Sequence, residues 1–291
     1  GIQSKDIVII TPFNRNVADL NAICQDQMIV NKRDEIICNN NIFYRQDIVM
    51  MTKNDYFINI MNGTTGEVML FHQEPSPSRF ISIKERSKRR FQPATEYSGY
   101  VQIKFITKQT RRFLINKTDY NVYLWALKVA KANPSFQHRD NDQNYFVVNS
   151  NEEWKCLIKT IKTVERFYQK YPNSPSDFLD SNDFNFNIMN KWFKPLLQIK
   201  YPYGWGGDLT YGYAMTAHKA QGSEWPHVIT YIGPNDNPSD FLNDRLLYTI
   251  FSRGQRSVHC IGNPNTYLIS SIRPMRKKYD KLARRLRQSF N

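Results

Sequence analysis

Three short aliphatic runs, far apart along the chain, limit what this sequence can fold into. Residues 6–11 (Asp-Ile-Val-Ile-Ile-Thr) form a continuous apolar run rich in β-branched residues, and 226–232 (Pro-His-Val-Ile-Thr-Tyr-Ile) and 257–261 (Ser-Val-His-Cys-Ile) read as further strands. A strand covered on both faces reads this way, which is the habit of a parallel sheet with helices on either side. Pro12 closes the first run, and Val17, Leu20, Ile23 and Met28 follow at helical spacing. The chain therefore opens as strand, turn and helix. Residues 47–52 read as a second strand, Asn62-Gly63 as a turn, and Gly66 to Leu70 as a strand. Further on, 209–216 reads as one strand, 217–222 as a turn or short helix, 238–252 as a helix, 257–261 as a final buried strand and 275–290 as a basic helix.

Between these pieces the pattern changes. Residues 100–106 and 111–116 alternate apolar and polar around Lys108-Gln109-Thr110 and predict a hairpin. Residues 119–132, 151–171 and 183–199 predict helices, separated by Asn-, Asp-, Pro- and Ser-rich stretches. Neither flanking piece has strands enough for a sheet of its own. The simplest organisation is one α/β domain from residues 1–70 and 205–291, interrupted by an insert at 71–204. Three consecutive small domains are the alternative.

Charge narrows the partners. Lys and Arg number 40 against 26 Asp and Glu, a formal charge of +14, which suits a polyanion. Nucleic acid is the first candidate, ahead of an anionic membrane surface. No apolar run reaches the roughly 18–20 residues that span a bilayer, so no membrane partner is expected. Cys24, Cys38, Cys156 and Cys260 are widely spaced, without CxxC pairs. Neither a metal site nor a disulfide framework is indicated, and an intracellular, reducing compartment (cytoplasm or nucleus) fits. With 17 Tyr, 18 Phe and 5 Trp the chain is too aromatic to be a disordered one.

Two segments carry chemistry. In 213–224 an apolar strand runs into a turn bearing Thr216, His218, Lys219, Gln221, Gly222, Ser223 and Glu224. Hydroxyls, turn amides and an ammonium at the carboxyl end of a parallel strand suit phosphate oxygens. The plainer reading makes His218 a structural hydrogen-bonder and Lys219 a solvated cation. In 245–256 an amphipathic stretch ends in Ser252-Arg253-Gly254, which would put a planar cation at the sheet's edge. Such an Arg can stabilise a transferring phosphoryl group, or it is simply a surface Arg. The guanidinium and the 216–219 cluster are expected on neighbouring strand ends. Lys84 to Arg90 with Tyr97, Tyr100 and Phe105 is a further combination of charge and stacking faces. It equally describes a solvated loop beside core aromatics. Arg276-Lys277-Lys278 and Arg284-Arg285-Leu286-Arg287 suit phosphates or a solvated helix face.

Taken in order, these two segments resemble motifs V and VI of superfamily 1 DNA helicases in the RecD-like and Dda-like branch. Ile9 to Asn14, followed by Val17 and Leu20-Asn21, is similar to motif IV. Asp47 to Tyr56 with Met61 to Glu67 is similar to the segment preceding the inserted β-barrel of those enzymes. The resemblance implies a RecA-like parallel sheet flanked by helices, with an inserted β-barrel-plus-helices domain. It implies Arg253 as arginine finger on ATP, Glu224 near the ribose, and Gln221 coupling the nucleotide and DNA sites. It implies Thr216, His218, Lys219, Thr11, Asn14, Asn62 and Gly63 as contacts to the backbone of single-stranded DNA. Gly222 and Gly63 would let the chain approach closely.

No GxxxxGK[ST] phosphate loop occurs in the sequence. The resemblance implies that this loop and the acid holding Mg²⁺ belong to a preceding N-terminal RecA-like domain, and that this chain alone is inactive. The implied partners are single-stranded DNA, that N-terminal domain and replication proteins. Two other readings stay open: a non-catalytic nucleic-acid-binding or replication-partner module, and a viral RNA helicase.

Overall fold

The computed structural model describes residues 3–29, 32, 35–38, 41–75, 97–133, 151–197, 203–236 and 242–272. The chain begins with strand β1 (Ile7–Thr11) and helix α1 (Arg15–Met28), then β2 (Glu35–Cys38), β3 (Asn41–Tyr44), β4 (Ile48–Met51) and β5 (Thr65–Pro75). Next come β6 (Tyr97–Phe105), β7 (Thr110–Leu114), α2 (Lys117–Ala132), α3 (Asn151–Lys170) and α4 (Pro175–Leu179). A helical stretch made of Phe186–Ile188, a π turn at Met189–Phe193 and Lys194–Leu197 leads to β8 (Tyr203–Trp205) and β9 (Leu209–Tyr211). The last elements are β10 (Ala214–Thr216), β11 (Trp225–Tyr231), α5 (Asp244–Phe251), β12 (Gly254–Ile261) and α6 (Pro264–Ile272). The basic runs at 84–90 and 275–290 lie outside the described residues, as does the start of the 238–252 helix.

The chain folds as mixed α/β and forms two compact units, residues 1–30 with 211–291, and residues 31–210. The first holds a four-stranded sheet in the order β10-β1-β11-β12. Every pairing in it is parallel, and α1 and α5 pack on its strands. The two interior strands are two of the runs that stand out in the sequence. Val8, Ile10, Val228 and Thr230 are fully buried there. The third run behaves differently: β12 is an edge strand and most of its residues are at least partly exposed. A strand with a partner on one side only is covered less than a continuous apolar run suggests. The edge strand β10 is sealed by a side chain. The Asn21 carboxamide donates to the Ala214 carbonyl (3.0 Å) and accepts from the Ala214 amide (2.9 Å), standing in for a neighbouring strand.

The second unit holds the two-stranded sheet β2-β3 and a six-stranded sheet in the order β8-β7-β6-β5-β4-β9. Strands β4 to β7 run antiparallel in succession, and β6 and β7 are the hairpin expected from the sequence, with Lys108 at φ 65° in its turn. The edge strands β8 and β9 are joined by only three residues, Gly206–Asp208. Six flat strands would hold the edges about 24 Å apart, whereas such a link reaches at most about 14 Å. The sheet must curl strongly back on itself. Against it lies a core rich in aromatic rings, in which Trp154, Tyr123, Phe178, Phe193 and Tyr203 are almost wholly buried with Val122, Ala126 and Ile161. Asp119 joins three elements. It is 1% exposed, accepts from Ser98 Oγ on β6 (2.8 Å) and takes Lys162 Nζ on α3 at 2.8 Å.

The division of the chain therefore falls elsewhere than the 1–70, 71–204 and 205–291 read from the sequence. Residues 47–52, read with the α/β domain, form β4 and pair antiparallel with β5. The stretch 209–216, read as one strand, is two: β9 in the curled sheet and β10 in the parallel one, with the unit boundary between 210 and 211. Apolar content is the same on both sides of that break, so periodicity could not reveal it.

Candidate functional site

The predicted residues of the parallel unit gather at two ends of one sheet. At the carboxyl ends of β1 and β10, Thr11 and Thr216 are paired neighbours in the ladder. Thr11 is fully buried, and its hydroxyl accepts from Asn16 Nδ2 at 3.2 Å, so it shapes this end rather than facing out. Asn14 is exposed at the start of α1, and His218 is exposed just beyond β10, with Lys219 half-buried beside it.

Residues 217–224 leave β10 as consecutive turns. Ala217 N–H donates to the Thr11 carbonyl (3.3 Å), Ala220 to Thr216 (3.1 Å), Gln221 to His218 (3.3 Å) and Ser223 to Ala220 (3.2 Å). These amides satisfy the turn itself, which leaves side chains to face a ligand. Gly222 has φ +85°, a left-handed conformation that a side chain strains, and a Cβ there would meet nothing within 4 Å.

Two further residues complete the carboxyl end. Asp236, in the turn after β11, is 2% exposed and takes an ion pair from Arg15, a hydrogen bond from Asn16 Nδ2 (2.6 Å) and one from the Gly233 amide (2.8 Å). The Arg15 guanidinium also lies over the Phe13 ring at 4.7 Å. Neither Arg15 nor Asp236 stood out in the sequence. The signal was there in part: Gly233-Pro-Asn-Asp follows an apolar strand directly, where parallel sheets place polar groups.

Arg253 stands at the opposite end, where β11 and β12 begin. Helix α5 is capped by the Asn243 side chain, which accepts from Leu246 N (3.1 Å), and it winds up as the Arg253 amide donates to the Ile250 carbonyl (3.1 Å). Pro226 lacks an N–H, and the β11/β12 register slips there, between Trp225↔Gly254 and His227↔Ser257. A Cβ on Gly254 would come within 2.9 Å of the Ser257 carbonyl, which explains glycine after the arginine. The guanidinium is held three ways: Nε donates to the Thr249 carbonyl (3.1 Å), Nη1 to the Ser223 carbonyl (3.3 Å) and Nη2 to Ser252 Oγ (3.0 Å). Of its five N–H groups, a phosphoryl oxygen would find at most two while those contacts hold. Glu224 is exposed beside it and accepts from Gln255 Nε2 at 3.2 Å.

The expectation that Arg253 and the 216–219 cluster share neighbouring strand ends is corrected. Strands β10 and β12 are the two edges of the sheet, and the groups stand at opposite strand ends. The reason is topological: after β10 the chain must travel back along the sheet before a parallel β11 can start. Residues 217–224 are that return, and they connect the two ends covalently. Asn62 and Gly63 belong to the other unit. Gly63 has φ 83° and its amide donates to the Met51 carbonyl (2.9 Å), while the Asn62 amide donates to Asn54 Oδ1 (2.8 Å). The exposed polar group of that turn is the Asn62 side chain. Among the described residues no three His, Cys, Asp or Glu converge as a metal site, and no helix is long and apolar enough to cross a membrane.

Residues 211–261, which hold this whole segment, match the family model described as the UvrD-like helicase C-terminal domain. Over them the superfamily 1 resemblance read from the sequence is borne out. No curated protein matches the chain. Among solved structures, the Pif1 helicase from Bacteroides in complex with ADP-AlF3 and ssDNA aligns at 12% identity and TM-score 0.40, over 99% of this chain and 47% of that one. Pif1 helicase from Candida albicans aligns at 10% identity and TM-score 0.42, over 100% of this chain and 51% of that one. The chain spans about half the length of these structures.

Proposed function

We propose that this chain is the C-terminal motor portion of an ATP-dependent DNA helicase of the RecD-like or Dda-like kind, translocating on single-stranded DNA and unwinding duplex. The match over 211–261 carries the reading, because it falls on the one stretch that spans both ends of the sheet. At the carboxyl end, Thr216, His218 and Lys219 grip the phosphate backbone, with Asn14 beside them and Thr11 bracing the strand end. In the other unit Asn62 adds a contact, and the curled sheet corresponds to the small inserted barrel. At the opposite end Arg253 meets the γ-phosphate of ATP, and Glu224 lies near the ribose.

ATP is completed by a phosphate loop that this sequence does not contain, on an N-terminal RecA-like domain. Mg²⁺ bound there would neutralise phosphate charge. What these residues do is couple. The Ser223 carbonyl that holds Arg253 belongs to the same return segment as His218, Lys219 and Gln221. DNA pressing on one end of 217–224 shifts the other end and frees guanidinium N–H groups for the nucleotide. Domain closure on ATP and opening after hydrolysis would then advance the strand.

The test is Arg253→Ala in the full-length protein, with Arg253→Lys as a fold-preserving second variant. Both should lose DNA-stimulated ATPase activity by roughly 10³-fold or more while binding single-stranded DNA as before. Retained stimulation in either variant would remove Arg253 from this role.

A further inference from the structure

The turn between β4 and β5 is built to hold an aromatic ring in the open. Asp55 and Ile60 exchange both backbone hydrogen bonds (2.8 and 3.0 Å). Asp55 Oδ1 accepts from the Phe57 amide (2.9 Å) and the Ile58 amide (3.2 Å), and Asn59 takes φ 56° to close the turn. Ile58 and Ile60, each 2% exposed, anchor it below, and Arg111 Nε donates to the Ile58 carbonyl at 2.8 Å. Above this anchored base Tyr56 is 76% exposed, with Phe57 and Met61 also in the open. Asn54 ties the arrangement together: its Oδ1 accepts from the Asn62 amide (2.8 Å) and its Nδ2 donates to the Tyr56 hydroxyl (3.2 Å). A single exposed aromatic is ordinary. One whose phenol is tethered and whose turn is closed by side-chain bonds has lost conformational freedom before any ligand arrives.

The surroundings say what that ligand is. Lys131 Nζ lies 5.6 Å from the centroid of the Phe57 ring. Lys53 Nζ, on the same turn, lies 5.7 Å from the Trp205 ring, which Lys117 Nζ covers at 3.7 Å. The two nearby carboxylates are engaged already, Asp55 by the turn amides and Asp208 by Lys53 at 3.2 Å. Rigid exposed rings among cations suit a chain of bases with charged links between them better than an apolar protein face.

We propose that Tyr56 is a base-stacking platform for single-stranded DNA, a contact made by the second unit on its own through bases rather than phosphates. It rests on the reading of the chain as a DNA-binding motor portion. It goes beyond that reading in assigning a π contact to a residue outside the segment matched at 211–261. The ring stacks on one base.

The experiment measures binding of this chain, by fluorescence anisotropy, to a labelled oligothymidine and to the same oligomer carrying abasic sites. Tyr56→Ala should weaken oligothymidine binding on the order of ten-fold, and Tyr56→Phe, which keeps the ring and loses only the tether to Asn54, should lose much less. On the abasic strand parent and Tyr56→Ala should bind alike, since no base remains to stack. Equal binding of parent and Tyr56→Ala on oligothymidine overturns the platform and leaves the motor reading untouched; so does a loss of equal size on the abasic strand, which would mark a general defect. If the parent binds neither strand, platform and DNA-binding reading fall together.

Discussion

The two units are built from opposite materials. The parallel unit is lightly cored and polar at its working ends. A small cluster of Ile232, Leu242 and Leu247, with Leu246 and Tyr267 packed against it, joins α5 and α6, while Leu268, Ile269 and Ile272 of α6 stay exposed. Its candidate groups are hydroxyls, imidazole, ammonium and guanidinium, and the guanidinium of Arg253 is held by two backbone carbonyls and a hydroxyl. The second unit is heavily cored and aromatic, and four of the five tryptophans in the sequence, Trp125, Trp154, Trp192 and Trp205, lie in it. The difference teaches where rigidity comes from. In one unit, packed rings fix the frame and leave the Tyr56 ring in the open. In the other, hydrogen bonds fix individual side chains and can be exchanged when a ligand arrives.

That contrast breaks most easily at Trp154. Trp154→Ala removes a ring that touches Tyr100, Tyr203 and His72, and should cost about 3–5 kcal/mol. Hydrogen exchange should then show protection lost across α2 and α3 while β1 and β11 keep theirs. Simultaneous loss in both units would mean that they unfold as one.

A smaller effect is expected from Asn21→Ala, which unseals β10. Losing a buried pair of hydrogen bonds costs about 1–3 kcal/mol, and the lost protection should be confined to β10 and β1. Thr216 sits at the end of that strand, so DNA binding should weaken as well. Unchanged exchange at β10 would mean that Asn21 is not its edge.

The least effect is expected at the surface of the second unit, where Lys170 Nζ and the Tyr171 hydroxyl both bond Asp183 Oδ2 (2.6 and 2.7 Å). The Lys170 hydrogen bond first, and the Tyr171 one next, hold the Asp183 carboxyl below its usual range, and Asp183 raises the Lys170 ammonium. A carboxyl lowered on folding contributes stability above its unfolded pKa of about 3.9, and that contribution fades as pH falls through the lower folded value. The raised ammonium contributes fully below its unfolded value and stops doing so at strongly alkaline pH. Lys170→Met should therefore lower the melting temperature slightly at neutral pH, with the gap from the parent closing toward pH 2. A gap that widens in acid would reverse the sign assigned here.

Much of this was readable in the residues themselves. The run at 6–11 is an interior parallel strand because a doubly covered strand tolerates unbroken Val and Ile, and 226–232 is its interior neighbour. The alternation at 100–116 is a hairpin because one face packs and the other does not. What the runs could not convey was their neighbours. Residues 47–52 are as apolar as 6–11 yet pair antiparallel in another sheet, and 257–261 lies at an edge, because hydrogen-bond partners come from distant sequence. The contacts of Arg15, Asp236 and Ser223 were unreadable for the same reason: each is made to a group 30 or more positions away.

The sequence by itself determined the inventory: which residue types occur, in what order, and that the stretch from Thr216 to Arg253 gathers hydroxyl, imidazole, ammonium and guanidinium groups. Folding decided the distribution. Parallel strands oblige the chain to double back between 216 and 225, so groups close in sequence end at opposite ends of a sheet, joined by one short segment. No local pattern encodes that separation, because it follows from which strands pair.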